Sequence, residues 1–369
     1  MSLPEGWSWP LRCSNCGRDY PQAGLPYRCP VCGGHYELAR PLRYSPEVGL
    51  GLERYRSSFP LPPDVPLYSL GEGRTPLVAD EIEGRRIYLK CEHLNPTGSF
   101  KDRGSVVLVS ALAAAGITEA IEDSSGNAGA SFAAYAARAG IRAKVFVPDY
   151  ASGPKRAQIE AYGAEVVRIL GPRSETSRAV LRATEAGAVY ASHTYLPHGL
   201  AGMATLAFEL VEALGKAPGT LLMPVGQGAL LLGAFQGFQA LLQAGLIREM
   251  PRLIGVQARA CAPLWAVHTA GMAGLGWIRE GQTLAEGIRI LTPLRGDAVL
   301  AAVEGSGGGF EAVEEGEITE GLRALGRRGF FVEPTSAVVW PALLRRLPDL
   351  PDPVVVVLTG SGFKTGKLE

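Results

Sequence analysis

Four consecutive valines, Val354–Val357, run into Leu358 without a polar position. A strand of that kind has no face to offer water and needs a layer packed on each side. Similar short runs recur at Arg86–Lys90, Ala120–Asp123, Lys144–Val147, Glu165–Ile169, Leu221–Val225 and Leu253–Gln257. Ala-rich helical stretches lie among them, such as Ser105–Ala115, Ala130–Ala139 and Ala201–Leu214. The alternation predicts an α/β fold with mostly parallel sheets, in which ligands sit in loops beyond the carboxyl ends of strands.

Charge excludes some function classes. The 36 Lys and Arg residues balance 36 Asp and Glu, and no basic stripe is available to neutralise a phosphate backbone, so nucleic acid is not expected as a partner. Two uncharged stretches approach membrane length. Gly228–Ile247 carries Gln236, Gln239 and Gln243 on one helical face, and Ala260–Ile278 is broken by Pro263, His268 and three glycines. Both read as core. No basic segment followed by an apolar run opens the chain, and a cytoplasmic protein without membrane contact is expected.

Four of the six cysteines fall within the first 32 residues, as Cys13-x2-Cys16, twelve intervening residues, and Cys29-x2-Cys32. Gly17 and Gly33 follow the two pairs and allow a tight turn around a metal. The spacing predicts a closed tetrahedral site of structural zinc, or iron in a rubredoxin-like site. Two disulfides or free thiols are the alternatives, with His35 as a surface residue. A ribbon over about residues 10–38 is too small to fold without its metal.

Four loops carry candidate chemistry. In Asn95-Pro96-Thr97-Gly98-Ser99-Phe100-Lys101-Asp102-Arg103-Gly104, a turn precedes a helix whose first turn holds Lys101. There the helix dipole disfavours the charged ammonium, which suits an amine used for covalent catalysis. Ser124-Ser125-Gly126-Asn127 follows a strand and opens a helix, offering N–H donors to a carboxylate. Gly226-Gln227-Gly228-Ala229-Leu230 does the same, with glycines that let a backbone cradle phosphate. Leu358-Thr359-Gly360-Ser361-Gly362 sets hydroxyls at the end of the valine strand.

Taken in order, these motifs resemble those of the fold-type II pyridoxal phosphate enzymes, the tryptophan synthase beta-like family, and of threonine synthases in particular. The likeness covers roughly residues 70–365, includes Glu333-Pro334-Thr335-Ser336-Ala337, and extends to the amino-terminal ribbon of some threonine synthases. It implies that Lys101 holds pyridoxal phosphate covalently and that Asn127 bonds the cofactor's phenolic oxygen. Gly226, Gln227, Gly228, Ala229 and Leu230 would surround the cofactor phosphate. Thr359, or Ser361 in a shifted register, would meet the pyridine nitrogen. Ser124, Ser125 and Gly126 would receive the substrate carboxylate.

Departures from that pattern bear on the substrate. The loop at 226–230 lacks Gly-Asn-Ala-Gly-Asn, and Ala128 replaces a common threonine. In Ser192-His193-Thr194-Tyr195-Leu196-Pro197-His198-Gly199, a typical threonine synthase has an Asn-Ser pair and an arginine that hold the substrate phosphate, and aligning the glycine that follows puts Gly199 in the arginine's place. Lys155, Arg156, His193 and His198 are candidate replacements; a solvated charge pair and two structural histidines are the plainer reading.

The expected activity is that of a pyridoxal phosphate lyase converting O-phosphohomoserine and water to threonine and phosphate. A serine/threonine dehydratase, a β-replacement enzyme resembling cysteate synthase, and a non-catalytic binding protein on the same fold are the alternatives. The resemblance also implies a homodimer acting on a small amino acid. The expected division is a ribbon at 1–40, a large domain from 41–99 and 206–369, and a smaller inserted domain at 100–205.

Overall fold

A computed structural model describes residues 6–151 and 153–365. The ends of the expected domains, 1–5 and 366–369, lie outside the described residues. In chain order the strands are β1 (Leu11–Cys13), β2 (Tyr36–Leu38), β3 (Leu77–Ile82), β4 (Arg85–Lys90), β5 (Glu119–Glu122) and β6 (Arg142–Pro148). They continue as β7 (Glu165–Ile169), β8 (Thr220–Pro224), β9 (Arg252–Ala258), β10 (Gly309–Val313) and β11 (Val354–Val357). Six helices matter most below: α1 (Lys101–Ala114), α2 (Asn127–Arg138), α3 (Pro154–Ala161), α4 (Arg173–Glu185), α5 (His198–Leu214) and α6 (Ala229–Gln243). No helix among the described residues is long and apolar enough to cross a membrane.

The chain divides into two compact units, residues 6–73 with Lys101–Gly202, and Arg74–Phe100 with Met203–Thr365. Residues 41–73, grouped from the sequence with the larger domain, lie in the first unit. The Tyr68 amide donates to Ser110 Oγ at 3.2 Å, Arg138 Nε to the Ser69 carbonyl at 3.2 Å, and the Tyr135 hydroxyl to Glu72 Oε2 at 2.7 Å.

In the first unit, β5-β6-β7 form a parallel sheet and β1-β2 a small antiparallel pair. Its Ala-rich α2 buries Ala130, Phe132, Ala133 and Ala136, small side chains that let helix and sheet approach closely. In the second unit the sheet order is β10-β9-β8-β11-β4-β3, parallel throughout except for β3 against β4. The valine strand β11 lies between β8 and β4, with Val354 opposite both Thr220 and Ile87, and all four valines are buried. Around it sits a core that includes Ile87, Leu89, Leu222, Ile254, Val338 and Leu343.

Every strand expected from the sequence is present within a residue or two. Four were missed. β3 and β10 are the two edges of the six-stranded sheet, and both mix Asp, Glu or Gly with apolar residues. Their composition suits a strand with one open side and carries no continuous apolar run. β1 and β2 have three residues each and are held by the cysteine turns around them.

Candidate active site and metal centre

In the first unit the candidate residues gather at the carboxyl ends of β5 and β6. Lys101 is the first residue of α1 and is half-buried. Ser124, Ser125, Gly126 and Asn127 are half-buried too; the Gly126 amide donates to Ser124 Oγ at 3.2 Å, and Asn127 opens α2. The unsatisfied amides of that first turn are natural donors to a carboxylate. Lys155 lies in the first turn of α3, which follows β6, while Arg156 turns back to the Ala151 carbonyl at 3.1 Å and to Glu160 at 3.4 Å.

Behind these loops is a polar cluster that the sequence did not single out. Asp123 accepts from Arg173 Nη2 at 2.7 Å, the Tyr190 hydroxyl at 2.8 Å and Ser177 Oγ at 3.3 Å. Burial opposes its ionisation, but the Arg173 guanidinium and the Tyr190 hydroxyl outweigh burial and hold the carboxyl below its ordinary range. Glu122, fully buried, has Oε1 2.7 Å from His193 Nδ1 and no hydrogen-bond partner on Oε2. Burial, reinforced by the Asp123 charge, pushes the Glu122 carboxyl well above its usual range. Burial and the nearby Lys101 charge push His193 well below its own. Both directions favour an uncharged pair, with the Glu122 O–H donating to Nδ1 and His193 Nε2 facing Thr194 Oγ1 at 3.3 Å.

His198, in contrast, is structural. It is completely buried, its ring stands edge-on to Trp9 and Tyr20 at 5.0 and 5.8 Å, and burial pushes its pKa down to about 3. Gly199 follows it in the first turn of α5, where a Cβ would lie 3.3 Å from the Gly104 backbone.

In the second unit, the loop 226–230 leaves the end of β8 and opens α6. Gly228 caps that helix with a left-handed φ of +80°, and a Cβ there would meet Val299 at 2.3 Å, so only glycine fits. Gln227 spends its side-chain carbonyl on the Leu294 amide at 3.0 Å, which fixes the loop instead of reaching for a ligand. Thr359 is buried at the end of β11, its hydroxyl 3.0 Å from Ser336 Oγ. Ser361 uses its hydroxyl locally, accepting from the Phe363 amide at 3.3 Å. The segment before Lys101 is braced as well. The Phe100 amide donates to the Thr359 carbonyl at 3.0 Å, and Lys364 Nζ to the Thr97 carbonyl at 2.7 Å.

Residues 68–360 match the family described as pyridoxal-phosphate dependent enzyme. The chain belongs to that family. It is 38% identical to the threonine synthase of Synechocystis over 323 residues, covering 85% of this chain and 82% of that one. Against the threonine synthase of Methanocaldococcus jannaschii it is 32% identical over 375 residues, covering 96% and 92%. Among solved structures, a threonine deaminase from T.th. superposes with a TM-score of 0.67 at 29% identity, over 80% of this chain and 94% of that one. Maize serine racemase shares the fold at 22% identity and a TM-score of 0.68, over 80% of this chain and 89% of that one. This pyridoxal-phosphate dependent enzyme therefore has the fold-type II architecture expected from its motifs.

The amino-terminal cysteines of the enzyme form one cluster. All four Sγ atoms lie within 4.8 Å of one another, with Cys13–Cys32 at 3.5 Å and Cys16–Cys29 at 3.7 Å. Those distances are too long for disulfides, and all four thiols are free. A tetrahedron of 2.3 Å zinc–sulfur bonds has edges of about 3.8 Å, so the cluster fits that ion. Gly17 and Gly33 adopt φ of +72° and +71°, closing the turns in which their amides donate to the Cys13 and Cys29 carbonyls.

Sequence reading missed Arg173, Glu122 and Ser336 as neighbours of the site. Each earns its place through contacts across 50, 71 and 23 residues, for which no local pattern exists.

Proposed function

We propose that this enzyme is a lyase of threonine synthase type, converting O-phosphohomoserine and water to threonine and phosphate. The observation that carries the reading is its 32–38% identity to threonine synthases along nearly all of the chain. Lys101 would hold pyridoxal phosphate, the amides at 226–230 its phosphate, Asn127 its phenolic oxygen and Thr359 its ring nitrogen. The donor sets fit: a dianion belongs at the amino end of the 15-residue α6, and the buried Thr359 hydroxyl is a neutral partner already oriented by Ser336. When bound, the cofactor makes the substrate's Cα–H acidic.

The chain's own groups supply the rest. The Lys101 amine would take protons from Cα and then Cβ and return protons at Cγ, which becomes the methyl group once phosphate has left, and finally at Cα, while water supplies the hydroxyl at Cβ. Ser124, Ser125 and the amides beginning α2 hold the substrate carboxylate. Lys155 and Arg173, the latter half-exposed and already aligned by Asp123, supply cationic charge for the substrate phosphate in place of an arginine at position 199. The four cysteines hold structural zinc.

Dehydration of serine or threonine is a second reading, and one observation favours it. Gly199 is packed against Gly104, and burial pushes both Glu122 and His193 towards their uncharged forms. A departing hydroxyl needs a proton donor more than a cationic cradle. Incubating the cofactor-loaded enzyme with O-phosphohomoserine decides between them. Equal yields of phosphate and threonine are expected; no phosphate, with 2-oxobutyrate formed from threonine, establishes the dehydratase instead.

A further inference from the structure

The amino-terminal ribbon does more than hang from the first unit. Trp9, just before β1, and Tyr20, four residues beyond Cys16, meet the ring of His198 edge-on at 5.0 and 5.8 Å. Tyr27 packs on Tyr190 at 5.3 Å and Tyr195 at 5.2 Å. Arg28, next to Cys29, stacks its guanidinium 4.8 Å above the Tyr195 ring and donates to the Tyr195 hydroxyl. Every one of these ribbon side chains sits within four residues of a cysteine, and every one lands on residues 190–198.

That segment is the one joined to the polar cluster. Tyr190 donates to Asp123, His193 pairs with Glu122, and His198 begins α5 just before Gly199. Its own backbone is a chain of turns with little regular structure, so its conformation depends on what packs against it. A ribbon of this size holds its shape only when its thiols are joined by a metal.

We propose that the metal-bound ribbon is a positioning element for segment 190–198, acting through Trp9, Tyr27 and Arg28, so that metal occupancy governs substrate affinity. The inference rests on the reading that residues 192–199 face the substrate's side chain. Loss of the metal releases the ribbon aromatics, and the segment then samples other conformations. Substrate KM rises while cofactor retention by Lys101 is unchanged.

The test uses the full-length, cofactor-loaded enzyme and hydrogen–deuterium exchange of the peptides covering 190–198, with peptides of α6 as the internal control. Tyr27→Ala and Arg28→Ala are compared with Tyr27→Phe, which keeps the ring. For the two alanine variants, with zinc content retained, exchange at 190–198 and KM should each rise about tenfold, the scale of one lost aromatic pair or cation–π stack. The phenylalanine variant should stay near the parent, and kcat and the bound-cofactor spectrum should hold in all three. Stripping zinc with a chelator should give the same local exchange, reversed on adding zinc back. Unchanged exchange at 190–198 in the zinc-free, cofactor-retaining enzyme overturns the proposal, whichever substrate the enzyme uses. Should Tyr27→Ala lose its fold, Arg28→Ala decides alone, because its side chain is exposed. Absence of turnover with O-phosphohomoserine refutes the threonine synthase reading and leaves the exchange result standing.

Discussion

Gly202 and Gly199 open α5 against the start of α1, and their substitution measures how tightly the first unit holds the helix that begins with Lys101. A Cβ on Gly202 would lie 1.8 Å from the Arg103 carbonyl oxygen and 3.1 Å from Val107 Cγ2. The obstruction is backbone, so no side chain can swing aside, and the two helices must separate by more than 1 Å, taking ordinary contact as about 3.4 Å. Overpacking of this kind costs about 1–3 kcal/mol or more, against roughly 1 kcal/mol gained by replacing glycine with alanine in a helix. We expect Gly202→Ala to lose about 2 kcal/mol net, a fall of about 4–8 °C in Tm at fixed scan rate. At Gly199 the Cβ would meet Gly104 at 3.3 Å, a misfit of tenths of an ångström. Gly199→Ala should therefore change Tm by no more than about 2 °C. Gly199→Arg should destabilise without lowering KM for O-phosphohomoserine, since the new side chain starts against the Gly104 backbone. Circular dichroism melting with initial rates gives both quantities. A Gly202→Ala enzyme melting with the parent, or a stable Gly199→Arg enzyme with lowered KM, refutes the reasoning.

Lys101→Ala should abolish both turnover and the visible absorbance of the lysine-bound cofactor; retained turnover removes Lys101 from the chemistry. Lys90 and Glu209 are 3% and 6% exposed and meet at 2.7 Å, so Glu209→Gln leaves a buried ammonium without its counter-charge and should cost about 3–5 kcal/mol in thermal or denaturant unfolding. Glu122, raised in the folded state from its ordinary 4.5, contributes stability that is complete below that value and declines as pH rises towards its folded pKa. Glu122→Gln removes that decline, so its melting temperature should gain on the parent's as pH rises from about 4.5 to about 8. A constant difference across that range means that Glu122 ionises normally in the folded enzyme.

Local pattern and long-range contact divide what the sequence discloses. The central strands β4, β8, β9 and β11 were legible because burial on both faces leaves a run of apolar residues, whereas the edge strands β3 and β10 carry no such run. The loops at 124–127 and 226–230 were legible as strand-to-helix turns with glycine, and the structure has both at helix starts. Burial of Glu122 and its pairing with His193 was not legible, because it requires β5 to bring its last residue beside a segment 71 residues on. For the same reason nothing in the sequence marks Arg173, whose partner Asp123 lies 50 residues away in the chain.

Strand β11 comes last in chain order among the strands of the described residues, yet it lies in the middle of its sheet. During synthesis β8 and β4 are complete more than a hundred residues earlier and must wait, each with an unpaired edge of apolar side chains. Closure of the sheet has to await β11, so this unit is expected to complete its fold late. Chaperone dependence in the cell should accordingly centre on chains stalled or truncated before Val354, which expose two adhesive edges instead of merely losing a tail.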